Sequence, residues 1–143
     1  MITVVNLQRK VKIDTAPYRI FSLLLTEKLD EANSRHFSVA FVPDSRMKEL
    51  NSFFRGKDST TDVLSFPNEP DEFDTETNNL GDIVISLEQA EKQAAENGLS
   101  LDLEIRQLIL HGVLHLCGFD HEADNGEMNA RELELREKLD IQG

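Results

Sequence analysis

Residues 101–117, LDLEIRQLILHGVLHLC, carry apolar side chains on nearly every side of a helix. At 100° per residue, Leu101, Leu103, Ile105, Leu108, Ile109, Leu110, Val113, Leu114 and Leu116 leave no broad polar face. Such a helix runs through the middle of a domain, so the rest of the chain has to supply layers around it. Ser100 caps its start. It is expected to end at about Cys117, because Gly118 takes the left-handed conformation without strain.

The surrounding sequence supplies those layers. Ile2–Ile13 has the β-branched richness of a strand or a bent pair of strands, and Pro17 sits where a helix begins. From Tyr18 to about Ala32 the helical spacing puts Ile20, Phe21, Leu24, Leu25 and Leu29 on one side. Phe37–Val42 alternates as a strand, and Pro43 and Asp44 open a second helix carrying Met47, Leu50 and Phe53. A polar turn leads to a short strand at Val63–Phe66, stopped by Pro67. The acidic, turn-rich stretch 68–79 reads as an exposed loop, and LGDIVIS (80–86) as a fourth strand. Ser86 with Gln89 forms a capping box for a helix ending near Asn97 and Gly98; Asp124 with Glu127 forms another for a charged helix to about Leu139. Strands and helices mix without regular alternation, so the fold class is α+β, with a small mixed sheet of about four strands.

With 39% hydrophobic and 29% charged residues over 143 positions, the chain suits one core, and residues 1–143 are read as a single domain. Met1–Leu7 is apolar, but the basic Arg9, Lys10 and Lys12 follow it, the reverse of a secretory signal. The apolar runs are far shorter than the ~20 residues of a membrane span. A single cysteine, Cys117, excludes an internal disulfide, and a cytoplasmic location is expected. The net charge of −12 looks hostile to nucleic acid. It is unevenly spread: residues 1–61 hold ten Lys/Arg against seven Asp/Glu (+3), residues 62–143 five against twenty (−15). A polyanion can therefore dock on surface supplied by the first half.

Three of the four histidines fall within HGVLHLCGFDH, residues 111–121. His111 and His115, four apart, share a helix face about 6 Å apart along the axis, within reach of one ion at roughly 2.0–2.1 Å. Past the glycine turn the chain returns, carrying His121 toward the same point. The spacing His-x3-His-x5-His thus builds a tripod. Three protein ligands with an open fourth position describe catalytic zinc, whereas structural zinc takes four ligands and favours cysteine. Water is expected in the open position, its pKa lowered to about 7. Asp120 adjoins His121 and diverges from it; Cys117 lies about 200° around the helix from His115 and faces the core; His36, alone at the start of a strand, reads as an ordinary structural histidine. The metzincin peptidase signature H-E-x-x-H-x-x-G-x-x-H carries a glutamate as general base, and this chain has Gly112 in that place. The tripod is present and the peptidase base is absent.

HGVLHLCGFDH, together with NSFFRGKDSTTDVLSFP (51–67) and LGDIVIS (80–86), resembles the YbeY family of bacterial endoribonucleases, also described as rRNA maturation factors. Phe119 stands where the family usually has tyrosine. The resemblance implies a single-strand-specific, metal-dependent endoribonuclease acting in 16S rRNA 3′-end maturation and ribosome quality control. It implies as partners the small ribosomal subunit and the Era GTPase, and an α+β fold around a central metal-bearing helix, similar to zinc peptidases. It places the three metal histidines on His111, His115 and His121 and the functionally essential arginine on Arg55.

The residues themselves accord with that role for Arg55. In RGKDSTTD, Arg55 and Lys57 flank Gly56 in the positively balanced half, and a guanidinium holds a phosphate by two parallel hydrogen bonds. Thr60, Thr61, Asp62 and Ser65 are read as shaping the loop. The expected chemistry is phosphodiester cleavage in single-stranded RNA, with Zn2+ on the three histidines, Arg55 on the phosphate, and Asp120 and Asp82 as weak candidates for a base. Two other readings are a zinc metallopeptidase-like hydrolase, disfavoured by Gly112, and a non-catalytic ribosome-assembly factor whose metal serves only the fold.

Overall fold

A computed structural model of the chain describes residues 2–69, 78–120 and 122–143. Among them run β1 (Thr3–Asn6), α1 (Ala16–Lys28), a 3-10 turn (Asp30–Ala32), β2 (His36–Val42), α2 (Asp44–Arg55), β3 (Val63–Pro67), β4 (Asn79–Ser86), α3 (Leu87–Asn97), α4 (Leu101–Leu116) and α5 (Glu127–Lys138). The strands form one sheet in the order β1-β2-β4-β3. β1, β2 and β4 are parallel and β3 is an antiparallel edge strand, which makes the α+β class and the mixed sheet the observed ones.

Strand alternation divides the sheet into two faces. Phe37, Val39 and Phe41 of β2 and Ile83 and Ile85 of β4 are buried in one cluster with α1, α4 and α5. On the other face Val42 and Leu64 meet Met47 of α2, with Ala40, Leu50, Phe66 and Val84 packed at the margin. The long apolar helix lies where its composition requires: Ile105, Ile109, Leu110, Val113 and Leu114 are fully buried, each contributing roughly 1.5–3 kcal/mol through removal from water. Ser100 Oγ accepts from Leu103 N at 3.1 Å and starts α4 as expected.

Several elements depart from the sequence expectation. In α1 the buried stripe is Tyr18, Phe21, Ser22, Leu25 and Thr26, while Ile20 and Leu24 are exposed. Small polar residues took the inward positions because they fit there: Thr26 satisfies its own hydroxyl by donating to Leu23 O at 2.7 Å. Of the apolar residues read on α2, Met47 is buried and Phe53 is 81% exposed. β1 stops at Asn6 because Gln8 takes over the backbone's partners, its amide donating to Val11 O at 2.8 Å and accepting from Val11 N at 2.9 Å. α5 begins at Glu127 behind Gly126; Asp124 still caps it, accepting from Gly126 N and Met128 N at 2.8 and 3.0 Å. Of the loop read at 68–79, residues 70–77 lie outside the described residues.

Candidate active site

The last two turns of α4 place His111 and His115 side by side, ring centroids 4.8 Å apart and planes at 75°. Their Nε2 atoms are 3.2 Å apart. On its other side His111 Nδ1 lies 2.6 Å from Oε1 of Glu132, a buried residue of α5. Oε2 of the same carboxylate accepts from Arg136 Nη2 at 2.9 Å. Burial alone would push the Glu132 carboxyl up, but the His111 hydrogen bond and the charges of His111, Arg136 and His115 hold it below the usual range. In a neutral His111 this contact puts the proton on Nδ1 and makes Nε2, which faces His115, the acceptor.

That pair fits a metal. Two nitrogens each about 2.0–2.1 Å from one ion at a tetrahedral angle stand about 3.3 Å apart, and the observed separation is 3.2 Å. A carboxylate behind a ligating imidazole is the usual outer support of such a site. His121, the third ligand of the sequence reading, lies outside the described residues. Among the described residues no three His, Cys, Asp or Glu side chains gather as a metal cage. Gly118, at φ +102°, turns the chain after the helix, with its N–H on His115 O at 3.0 Å; a Cβ there would meet no neighbour, so the demand is conformational.

Arg55 reaches the same place from the other side of the sheet edge. It ends α2, where Gly56 takes φ +67° as the cap. It lines a cavity of about 540 Å³ together with His111, His115, Ser65, Phe119 and Asp120. Its Nη2 stands 3.5 Å from Glu122 Oε1, a long pair between exposed groups that contributes little energy. The loop behind it is firmly anchored. Asn51 Nδ2 donates to Ser59 O at 2.8 Å, and Asp44 accepts from Thr60 Oγ1, from Ser86 Oγ at 2.9 Å and from Gln89 Nε2 at 3.2 Å. Against burial, these bonds hold the Asp44 carboxyl below its ordinary value. Thr61 and Asp62 shape the approach to β3, Asp62 Oδ1 accepting from Val63 N at 2.8 Å.

Of the two carboxylates read as candidate bases, Asp120 lines the cavity and Asp82 does not. Asp82 points to the sheet's other face, where Ser38 donates to it. Cys117 packs partly buried against the core, and burial pushes its thiol up to about 11, so it carries no thiolate at neutral pH. His36 opens β2, with its N–H on Asn78 O at 2.6 Å, and does not line the cavity.

Gly112 has a structural reason. A Cβ at this position would stand 2.9–3.1 Å from three side-chain carbons of Ile83 on β4, so the position faces the sheet and a side chain there would press on Ile83. Glu132 and Asp44 were missed by sequence reading because each lies in a charged stretch whose inward-facing members only the packing reveals.

The chain is similar to proteins of one family. The model of the family described as Endoribonuclease YbeY matches residues 3–140. A protein named Endoribonuclease YbeY from Nautilia profundicola is 56% identical over 118 residues, 82% of this chain and 77% of the relative. One of the same name from Koribacter versatilis is 46% identical over 133 residues, 92% and 84% of the two chains. The solution structure of TM1509 from Thermotoga maritima superposes with a TM-score of 0.65 at 27% identity, covering 97% of this chain and 89% of that one.

Proposed function

The chain belongs to the YbeY endoribonuclease family and is a hydrolase acting on RNA; from that premise we propose that it cuts single-stranded RNA in the cavity shared by Arg55, His111 and His115. The observation that carries this reading is that convergence: residues from the end of α2 and the end of α4 line one open cavity. His111, His115 and His121 would hold Zn2+. A bound zinc ion would supply Lewis acidity at a phosphoryl oxygen and lower the pKa of water to about 7.

The chain's own groups do the rest. Arg55 exchanges its weak pair with Glu122 for two parallel hydrogen bonds to the phosphate, stabilising charge that grows there during attack. Glu132, held by Arg136, keeps the His111 ring in one orientation and tautomer. Asp120, which lines the cavity with Asp62 and Glu122, is the carboxylate we assign to take a proton.

In the cell we place the enzyme in the cytoplasm, in 16S rRNA 3′-end maturation and ribosome quality control, with the small ribosomal subunit and the Era GTPase as partners; family membership supports this. No described helix is long and apolar enough to cross a membrane. A peptidase reading is disfavoured by Gly112, which stands where the usual base would be and packs against Ile83. The deciding experiment is cleavage of a defined rRNA fragment, single-stranded and annealed, by wild type and Arg55→Ala with metal content measured in parallel. Cleavage of the single strand, lost in the variant at unchanged metal, is expected. Equal activity in the variant would remove Arg55 from the chemistry, and binding to ribosomal subunits without any cleavage would favour an assembly factor.

A further inference from the structure

We propose that the apolar groove between Phe54 and Phe66, on the sheet face opposite α4, is a nucleobase subsite in which Asp82 reads the exocyclic amine of one unpaired base. The proposal rests on the ribonuclease reading above and names how the strand is gripped beside the scissile phosphate.

The groove encloses about 370 Å³, walled by Leu50 and Phe54 of α2, Phe66 of β3 and Val84 of β4. Phe54 meets Phe66 edge-to-face at 4.9 Å and Phe53 at 4.8 Å, so three rings form a ladder. Phe53 is 81% and Phe54 57% exposed. Rings open to solvent in this way offer π-faces, and unpaired bases stack on such faces whatever their sequence.

Three observations favour a nucleic acid strand over a protein. The groove lies across the edge strand from the cavity: Phe54 and Arg55 are successive residues, and Ser65 and Pro67, on either side of Phe66, line the cavity. β3 is thus the wall between them, with a base on one side and its phosphate on the other. The single carboxylate in the groove suits a base edge. Asp82 Oδ1 accepts from Ser38, and Oδ2 takes no hydrogen bond from any described residue, leaving an acceptor for the N4 amine of cytosine, where uracil would present a repelling carbonyl. Finally, α2, one wall of the groove, carries two exposed cations. Arg46 and Lys48 of α2 make only surface pairs with Glu49 at 3.0 Å and Asp58 at 3.9 Å, which phosphates displace at little cost.

The test titrates fluorescently labelled single-stranded RNA oligomers of equal length, all cytosine, all uracil or all abasic, into the protein as purified, with oligomer integrity checked on a gel. Oligocytidine should bind at least ~5-fold tighter than the abasic strand. Phe54→Ala should remove that difference and leave abasic binding unchanged, while Phe54→Trp, which keeps a stacking face, should retain it. Asp82→Asn, whose amide can donate as well as accept, should erase the preference for cytosine over uracil. Equal binding of cytidine and abasic strands by wild type overturns the subsite, as does a Phe54→Ala effect shared by both strands or concentration-dependent dimerisation abolished by Phe53→Ala. If those equal affinities still fall in Arg55→Ala, the ribonuclease reading stands without the subsite; if no oligomer binds at all, both fail.

Discussion

Glu132 Oε1 lies 2.6 Å from Nδ1 of His111 while its other oxygen accepts from Arg136, so a helix that reads as a solvated charged surface orients the imidazole at the centre of the site. Replacing Glu132 by Gln keeps an acceptor near His111 and removes the negative charge. Zinc affinity, measured by competition with a chelator, should fall about 10–100-fold with the helical circular dichroism retained. Unchanged affinity would mean that the orientation of His111 comes from elsewhere.

Gly112 and Ile83 form a close approach of α4 to β4. Gly112→Ala should destabilise the fold by about 1–3 kcal/mol, as overpacking of a filled core does, and Ile83→Val alone by about 0.5–1.5 kcal/mol. The double variant should be more stable than the sum of the two losses predicts, because the smaller side chain vacates part of the space the new methyl needs. Strict additivity in urea titrations would show that the clash is relieved by a shift of the helix.

What was legible in the sequence follows from which forces act locally. The burial of α4 could be read because a helix apolar all round has one stable place, and the histidine pair because a four-residue step is fixed by helix geometry. The face of α1 was misread since hydrophobicity alone ignores that Ser22 and Thr26 are small enough to pack inward. That Arg55 shares a cavity with His111, that Asp82 turns away from it, and that Gly112 makes room for Ile83 all depend on pairings across the sheet, which sequence spacing does not carry.

Asp44 anchors the loop behind Arg55 through Thr60, Ser86 and Gln89, and these bonds hold its carboxyl low. A carboxyl lowered by folding contributes stability above its unfolded pKa of about 3.9, and that contribution is lost as pH falls through the folded value. Asp44→Asn should therefore be less stable than wild type by about 1 kcal/mol at pH 7, with the gap closing on acidification toward pH 3. A gap independent of pH would assign the loss to packing.

Glu104 is the opposite case. It is buried beside the cavity flanking His111, where desolvation and the nearby Asp62 charge raise its carboxyl, with Arg136 only partly offsetting them. A group raised by folding contributes stability below its unfolded pKa of about 4.3 and loses it as pH rises through the folded value. At pH 7 the ionised Glu104 thus opposes folding, and Glu104→Gln should stabilise the protein by on the order of 1 kcal/mol. The gain should shrink toward pH 4, where the wild-type carboxyl takes up its proton. Urea titrations of both proteins at pH 4, 6 and 8 measure this directly: a variant less stable than wild type at every pH would show that the carboxylate is paired in the folded state and that Arg136 outweighs burial and Asp62 together.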